Sequence, residues 1–240
     1  MTPTDPPLDP ARILFEDHHL LIVNKPAPLL TQAPPNVPNL ESMVKAYIKE
    51  KYAKPGGVYL GVPHRLDRPV SGVICFARNT KAAQRVHEQF QERTVRKVYW
   101  AAVVGEVTPE TGRWEDWIRK VPDESRTVRA KPNEPGAKLA TLEYRVLQPI
   151  PGGTLIEFQP LSGRMHQLRV QSAWRGHPVF GDTAYAESPP FGPAAELPRD
   201  RVIALHARRL ELIHPFKKEP LVAEATVPDY WAPLGLDSGS

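Results

Sequence analysis

His64-Arg65-Leu66-Asp67-Arg68-Pro69-Val70-Ser71-Gly72 is the stretch on which the fold turns. It lies between two apolar, β-prone runs, Val58 to Val62 and Val73 to Ala77, so a loop bearing a carboxylate joins two expected strands. A carboxylate so placed stands at the mouth of a cleft. Arginines lie on both sides of Asp67 in sequence, and a carboxylate among cations keeps its charge. Such a group suits nucleophilic or electrostatic work at an electron-poor carbon better than acid catalysis. The same residues also fit a surface turn closed by an ion pair, the commoner case for such a loop taken alone.

Outward from this loop the pattern is mixed. Ile13 to Phe15 and Leu20 to Val23 are short strands around Glu16-Asp17-His18-His19. Asn39 to Tyr52 is helical, with Met43, Ala46 and Tyr47 on one face. Lys81 to Glu92 is a second helix, capped by Asn79 or Thr80, with Ala82, Val86 and Phe90 recurring every fourth residue. Lys97 to Val107, Leu139 to Leu147, Thr154 to Phe158 and Val202 to Ile213 read as strands, and Met165 to Trp174 as a short helix. Hairpin joints such as Pro151-Gly152-Gly153 favour antiparallel pairing. The expected fold class is α+β: a mixed, largely antiparallel sheet flanked by helices, with a central active-site cleft.

The 240 residues, 41% of them hydrophobic, suffice for a substantial core, which excludes a disordered chain. A net charge of +4 suits a polyanionic partner without demonstrating one. The lone cysteine, Cys75, excludes an internal disulfide or a cysteine-rich zinc site and reads as a buried strand residue. Residues 1–10 are polar and proline-rich, without the apolar core of a signal peptide, and no apolar run approaches the ~20 residues of a membrane helix. The expected organisation is a tail over 1–10, one catalytic domain over 11–232 and a tail over 233–240, in a cytoplasmic protein. The eight histidines show no metal-ligand spacing: His18 and His19 are adjacent, and His64, His166, His177 and His206 are far apart. That argues against a metal hydrolase.

Two further stretches carry chemistry. In Gly163-Arg164-Met165-His166-Gln167-Leu168-Arg169, Ser162 or Gly163 is expected to open a helix, which would set free backbone N–H groups beside Arg164 and make an anion site. His166 and Gln167 would read RNA edges or bond a neighbouring loop. In Lys97-Val98-Tyr99, Tyr99 lies within a strand, where a tyrosine is usually a core residue.

The loop resembles the His-Arg-Leu-Asp-x-x-Thr-Ser-Gly signature of RluA-type RNA pseudouridine synthases. The resemblance runs in order along most of the chain. Asn24-Lys25-Pro26 resembles the family's strand-end motif, and Lys97 to Ala101 the segment with the active-site tyrosine. Gly163 to Arg169 resembles Gly-Arg-Thr-His-Gln-Ile-Arg, Gly176 to Asp182 resembles Gly-His-Pro-Ile-x-Gly-Asp, and Leu205-His206-Ala207 the final Leu-His-Ala. Val70 and Met165 stand where threonine is usual, Leu168 where isoleucine is common, and Gln171 where histidine is frequent. No S4-like RNA-binding module is expected ahead of Asn24, so substrate grip falls to the catalytic domain or to the shape of the RNA.

The resemblance implies isomerisation of uridine to pseudouridine in ribosomal or transfer RNA by a monomer, with no cofactor, no metal and no membrane. The C1′–N1 bond breaks, the uracil turns, and C5 bonds to C1′. Asp67 would attack C1′ or remove a C2′ proton. Arg164 would orient Asp67, Tyr99 would stack on the uracil and move the C5 proton, and Leu168 would pack under the ring. Substrate contacts would also involve His64, His166 and Gln167. Arg65 would fill the stack left by the flipped base, or serve as a second ion partner of Asp67. Arg93, Arg96, Lys97, Arg119, Lys120, Arg126 and Arg129 would supply an RNA path where they are not ordinary solvated charges. The alternative is a non-catalytic RNA-binding or RNA-folding factor on the same fold, against which intact Asp67, Tyr99 and Arg164 argue.

Overall fold

Asparagine caps start both long helices. Asn39 Oδ1 accepts from the Ser42 N–H at 3.0 Å, and Asn79 Oδ1 accepts from the Ala82 N–H at 2.9 Å, each satisfying a backbone donor that the first helical turn leaves open. The computed structural model describes residues 6–236; the outer parts of the two expected tails, 1–5 and 237–240, lie outside them. Along the chain run β1 (Ile13–Glu16), β2 (Leu20–Lys25), α1 (Leu40–Lys51), β3 (Ser71–Ala77), α2 (Thr80–Gln91), β4 (Arg96–Val104), β5 (Thr111–Lys120), β6 (Thr127–Arg129), β7 (Lys138–Ile150), β8 (Gly153–Pro160), α3 (Gln167–Ala173), β9 (Leu205–Ile213) and β10 (Pro220–Glu224). Among the described residues strands outnumber helices, and β1–β2, β2–β3, β4–β8, β5–β7 and β7–β8 pair antiparallel, as an α+β chain of this pattern should.

The chain divides into two units, residues 1–96 with 207–228, and residues 97–206 with 229–240. In the first, β1, β2 and β3 pair in sequence and β9 pairs with β10. Every residue of β3 is buried, as befits a strand covered on both faces. The core gathers Leu20, Ile22, Val73, Cys75, Val86 and Leu210. Burial pushes the Cys75 thiol up to about 12, so it is an inert core residue. Leu8 is also buried here, its N–H donating to Met43 O at 3.1 Å. In the second unit β4, β8, β7, β5 and β6 form an antiparallel run, with Trp114 packed on Tyr144 and Phe158. Among the described residues no helix is long and apolar enough to cross a membrane.

Several local expectations change. Val58 to Val62 is not a strand: only Gly61 bridges to Ala77, because Pro55, Gly56, Gly57 and Pro63 hem the run. The buried face of α1 is Leu40, Val44, Tyr47 and Ile48, so the stripe lies about one residue beyond Met43 and Ala46. The helix after Arg164 begins only at Gln167, with His166 at φ 54° and no side-chain cap, so Arg164 does not lie at a helix start and no dipole argument applies to it. Strands β5, β6 and β10 were not anticipated.

Gly72 shows how tightly the sheet is built. Its φ is +115°, and a β-carbon there would lie 2.3 Å from the carbonyl oxygen of Ala207. The Ser-Gly and Leu-His-Ala motifs, remote in sequence, therefore meet backbone to backbone on neighbouring strands. Gly72→Ala should lower unfolding free energy by about 3 kcal/mol in urea denaturation, from a forbidden φ and a steric clash. Gly57→Ala, where a β-carbon meets nothing within 4 Å, should change it by less than about 0.5 kcal/mol.

Candidate active site

The backbone on either side of Asp67 is fastened, while its side chain is only partly buried. On one side the Thr31 hydroxyl donates to Leu66 O at 2.9 Å and lies 3.2 Å from the Leu66 N–H. On the other, Arg68 O accepts from the Leu29 N–H at 3.0 Å. The loop then turns, Val70 N donating to Asp67 O at 3.1 Å. Leu66 and Val70 are buried at 6% and 2% exposure, so they plug the loop into the unit on both sides of the aspartate. Val70 thus fills an apolar site, which accounts for a side chain without threonine's hydroxyl. Arg65, just ahead of the first plug, is exposed.

Beneath this loop lies Lys25, fully buried at 0% exposure. Its ammonium donates to Leu29 O at 2.7 Å, Pro26 O at 3.0 Å and Arg68 O at 3.4 Å. Three carbonyls from two segments thus converge on one cation, which ties the 26–29 turn to the residue after Asp67. Burial lowers the Lys25 pKa to about 7; the negative charge of Asp67 works the other way, and Arg68 adds to the lowering. The sequence reading passed over this lysine as part of a motif. Its signal was a cation directly following an uninterrupted apolar strand, Leu20 to Val23, with only Asn24 between.

His64 is also drawn inward. Its Nε2 accepts from the Cys75 N–H at 2.9 Å and its ring stacks on Phe90 at 4.7 Å. The imidazole therefore anchors the start of the loop to β3, with its proton on Nδ1 when neutral.

Tyr99, Arg164, His166, Gln167 and Leu168 belong to the second unit. Tyr99, opposite Phe158 on β4, is half-buried rather than a core residue. Arg164 Nε donates to Leu139 O at 3.4 Å. The buried Gln167 organises the loop around Arg164: its Oε1 accepts from the Ser162 hydroxyl at 2.8 Å and the Arg164 N–H at 3.2 Å, and its Nε2 donates to Thr141 O at 3.0 Å. The Tyr185 hydroxyl accepts from the Thr127 N–H at 3.1 Å, which leaves its own proton for His166 Nδ1 at 2.7 Å. Leu168 is buried at 7% exposure.

Two buried ionic clusters hold this unit, and sequence reading missed both. Arg169 forks onto Asp182 at 2.6 and 2.8 Å, joining the Gly163–Arg169 and Gly176–Asp182 motifs. Asp116, at 4% exposure, accepts from Gln171 and Arg175, each at 2.8 Å. Gln171 thus supplies an N–H donor to a buried carboxylate.

Residues 19–174 match the RNA pseudouridylate synthase family. The chain belongs to this family; it is an RNA pseudouridine synthase, an isomerase acting on uridine in RNA. It is 34% identical over 228 residues to an uncharacterized RNA pseudouridine synthase of Synechocystis, covering 94% of this chain and 68% of that one. It is 33% identical to the dual-specificity RNA pseudouridine synthase RluA of Haemophilus influenzae, covering 92% of this chain and 95% of the relative. Among solved structures, human RNA pseudouridylate synthase domain containing 4 superposes with a TM-score of 0.76 at 26% identity, covering 95% and 94% of the two chains.

Lys25 gives this site a pH signature. Unfolded, the amine keeps its proton up to its ordinary value of 10.5; folded, only up to about 7. Between these values the unfolded chain binds more protons, so this residue makes unfolding free energy rise as pH increases from about 7 to 10.5. Lys25→Met should remove that slope. It should also cost about 2 kcal/mol at pH 9, where the folded amine is neutral, because the carbonyls that share its two remaining N–H groups lose their buried donor. Urea titrations of both proteins across this range measure both effects.

Proposed function

We propose that the chain isomerises particular uridines in structured RNA, ribosomal or transfer, with Asp67 as the reacting carboxylate. The fastening of the loop carries this reading: the main chain is held at Leu66 and at Arg68, yet the carboxylate between them remains partly accessible. A rigid backbone under an accessible charged group is what a reaction at one sugar carbon requires, since misplacement by an ångström costs orders of magnitude in rate. Asp67 attacks C1′ as the C1′–N1 bond breaks, or takes a C2′ proton. The uracil turns, C5 bonds to C1′ as the Asp67–C1′ bond breaks or as the proton returns to C2′, and the proton lost from C5 is balanced by the one gained at N1. Tyr99 stacks on the base and moves the C5 proton, Arg164 orients the carboxylate, and Leu168 packs under the ring. His64 and Gln167 act by holding the loops that carry Asp67 and Arg164, and His166 by its bond to Tyr185. Arg65, exposed beside the carboxylate, enters the stack vacated by the flipped base. Residues 11–232 serve as the catalytic domain of a cytoplasmic monomer.

Asp67→Asn should abolish pseudouridine formation while RNA affinity stays within about threefold, since phosphate contacts dominate affinity. Pseudouridine mapping of cellular RNA with and without the gene identifies the substrate; residual turnover of a tenth of wild type in Asp67→Asn would remove Asp67 from the chemistry. An RNA that binds tightly but never acquires pseudouridine with the wild-type protein would point to the non-catalytic factor instead.

Arg65 and Arg164 separate by substrate. Arg164→Lys keeps the charge and loses the planar fork, so it should slow single-turnover chemistry on any RNA, including one whose target uridine is unpaired. Arg65→Ala should slow a structured stem-loop about tenfold or more and a loosely stacked strand far less, because only the former must pay for unstacking. Equal losses on both RNAs would make Arg65 an ion partner of Asp67.

A further inference from the structure

The second unit holds a cavity of about 250 Å³, lined by Ile118, Lys120, Thr127, Lys138, Met165 and Arg164, the last also assigned above to Asp67, with Gly136 and Gly163 at its edge. Strand register explains its composition. Ile118 and Lys120 are two apart on β5 and so face the same way. Lys138 on β7 pairs with Ile118, and Thr127 on β6 pairs with Lys120, which puts all four side chains on one face of the sheet. The segment ahead of α3 closes the other side. It is fixed there by the Thr127 hydroxyl, which donates to Met165 O at 2.8 Å, and by Arg164 Nε on Leu139 O.

The charge pattern of this cavity is one-sided. Three cations line it, and no carboxylate does. A fourth, Lys97, brings its ammonium to 3.9 Å from where a β-carbon on Gly163 would stand. Among the described residues neither Lys120 nor Lys138 forms an ion pair, whereas neighbouring Arg119 and Arg129 are matched to Glu134 and Asp116. Like charges gathered around one concavity repel, and they focus a positive potential into it. Ile118 and the Met165 side chain give the cavity apolar lining, which fits a ribose beside an anion rather than a hydrated ion.

We propose that this cavity is a subsite for one backbone phosphodiester of the RNA substrate, held by Lys120 and Lys138, at a nucleotide other than the one isomerised. The assignment rests on the reading of the chain as an RNA-acting enzyme. It makes Lys120 and Lys138 affinity and register residues, without contact to the reacting atoms. It also gives Met165 a place, as apolar lining of the subsite.

The test uses the full chain and a short RNA stem-loop that the wild-type protein converts. Affinity is measured in the Asp67→Asn background against salt concentration, and turnover in the otherwise wild-type protein. Lys120→Gln with Lys138→Gln should weaken binding about tenfold at physiological salt. It should also flatten the slope of log affinity against log salt by about 0.7–1.8, the release expected for one or two cation–phosphate contacts. Single-turnover rate at saturating enzyme should stay within twofold, and melting temperature should not fall, since repelling charges are removed. Neutralising RNA phosphates one at a time as methylphosphonates should reveal one position whose loss hurts wild type but not the double variant. A control pair, Lys54→Gln with Lys81→Gln, should show no such position. If no phosphate couples to the double variant, or the control pair loses as much affinity and slope, the subsite is refuted as a general charge effect. If inorganic phosphate at matched ionic strength displaces the RNA from wild type but not from the double variant, while no RNA phosphate couples, the cavity is a free-anion site and the proposal fails. Continued conversion of the stem-loop by the wild-type protein in any of these cases leaves the pseudouridine synthase reading standing.

Discussion

One buried ammonium constrains the first unit. Lys25 sits at the end of β2 with no exposure, at the point where the chain must leave the sheet. A turn leaving a sheet edge points backbone carbonyls inward, and buried carbonyls without donors cost about 1–3 kcal/mol each. A single –NH₃⁺ satisfies Pro26, Leu29 and Arg68 together. No neutral side chain carries three donors on one atom. Burying the charge is costly, as its lowered pKa shows, so the arrangement reduces stability locally in order to hold two segments in register. What it holds is the peptide next to Asp67.

The second unit uses the same device with carboxylates. Arg169 and Asp182 are 6% and 3% exposed, and their fork ties the short helix to the segment from Gly176 to Asp182. That segment runs along the end of β4: His177 Nδ1 donates to Val104 O at 2.9 Å, and Phe180 N donates to Ala102 O at 2.9 Å. Motif residues that looked like candidates for RNA contact are therefore mostly internal fasteners. Truncating one partner of such a pair leaves a buried charge uncompensated, which typically costs about 3–5 kcal/mol. By this argument many positions that make the family recognisable preserve the placement of a few reactive groups.

What was legible in the sequence follows from how local each signal is. The helices were readable because their caps, Asn39 and Asn79, act over three residues. Strands with plain apolar runs, β2 and β3, were readable for the same reason. β5 was hidden because its inward face is Trp114, Asp116 and Ile118, and a buried aspartate breaks the apolar alternation. Its justification, Arg175 and Gln171, lies more than fifty residues away. β6 has three residues and β10 starts at a proline, so neither offers a period to detect. The helix start near Arg164 was misplaced because Gln167 bonds the Arg164 N–H from inside the helix, and no polar residue caps it from outside. Asp67 was singled out through its neighbours in sequence. Lys25 could be weighed only with Arg68 in view, forty-three positions on.

The contrast between paired and unpaired cations leads to a last step. In the second unit Arg119, Arg129, Arg145, Arg169 and Arg175 each meet a carboxylate within the chain. With four carboxylates answering these five arginines, the modest net charge of +4 does not describe how the field is distributed. At Lys120 and Lys138, beside Arg164, cations line one cavity with no acid in its lining. Electrostatic attraction acts through such local excess and not through the total, because at physiological salt a charge is screened beyond about 8 Å. A weakly basic chain can therefore grip a polyanion firmly, provided its acids neutralise the cations that hold the fold and leave bare those that face the ligand.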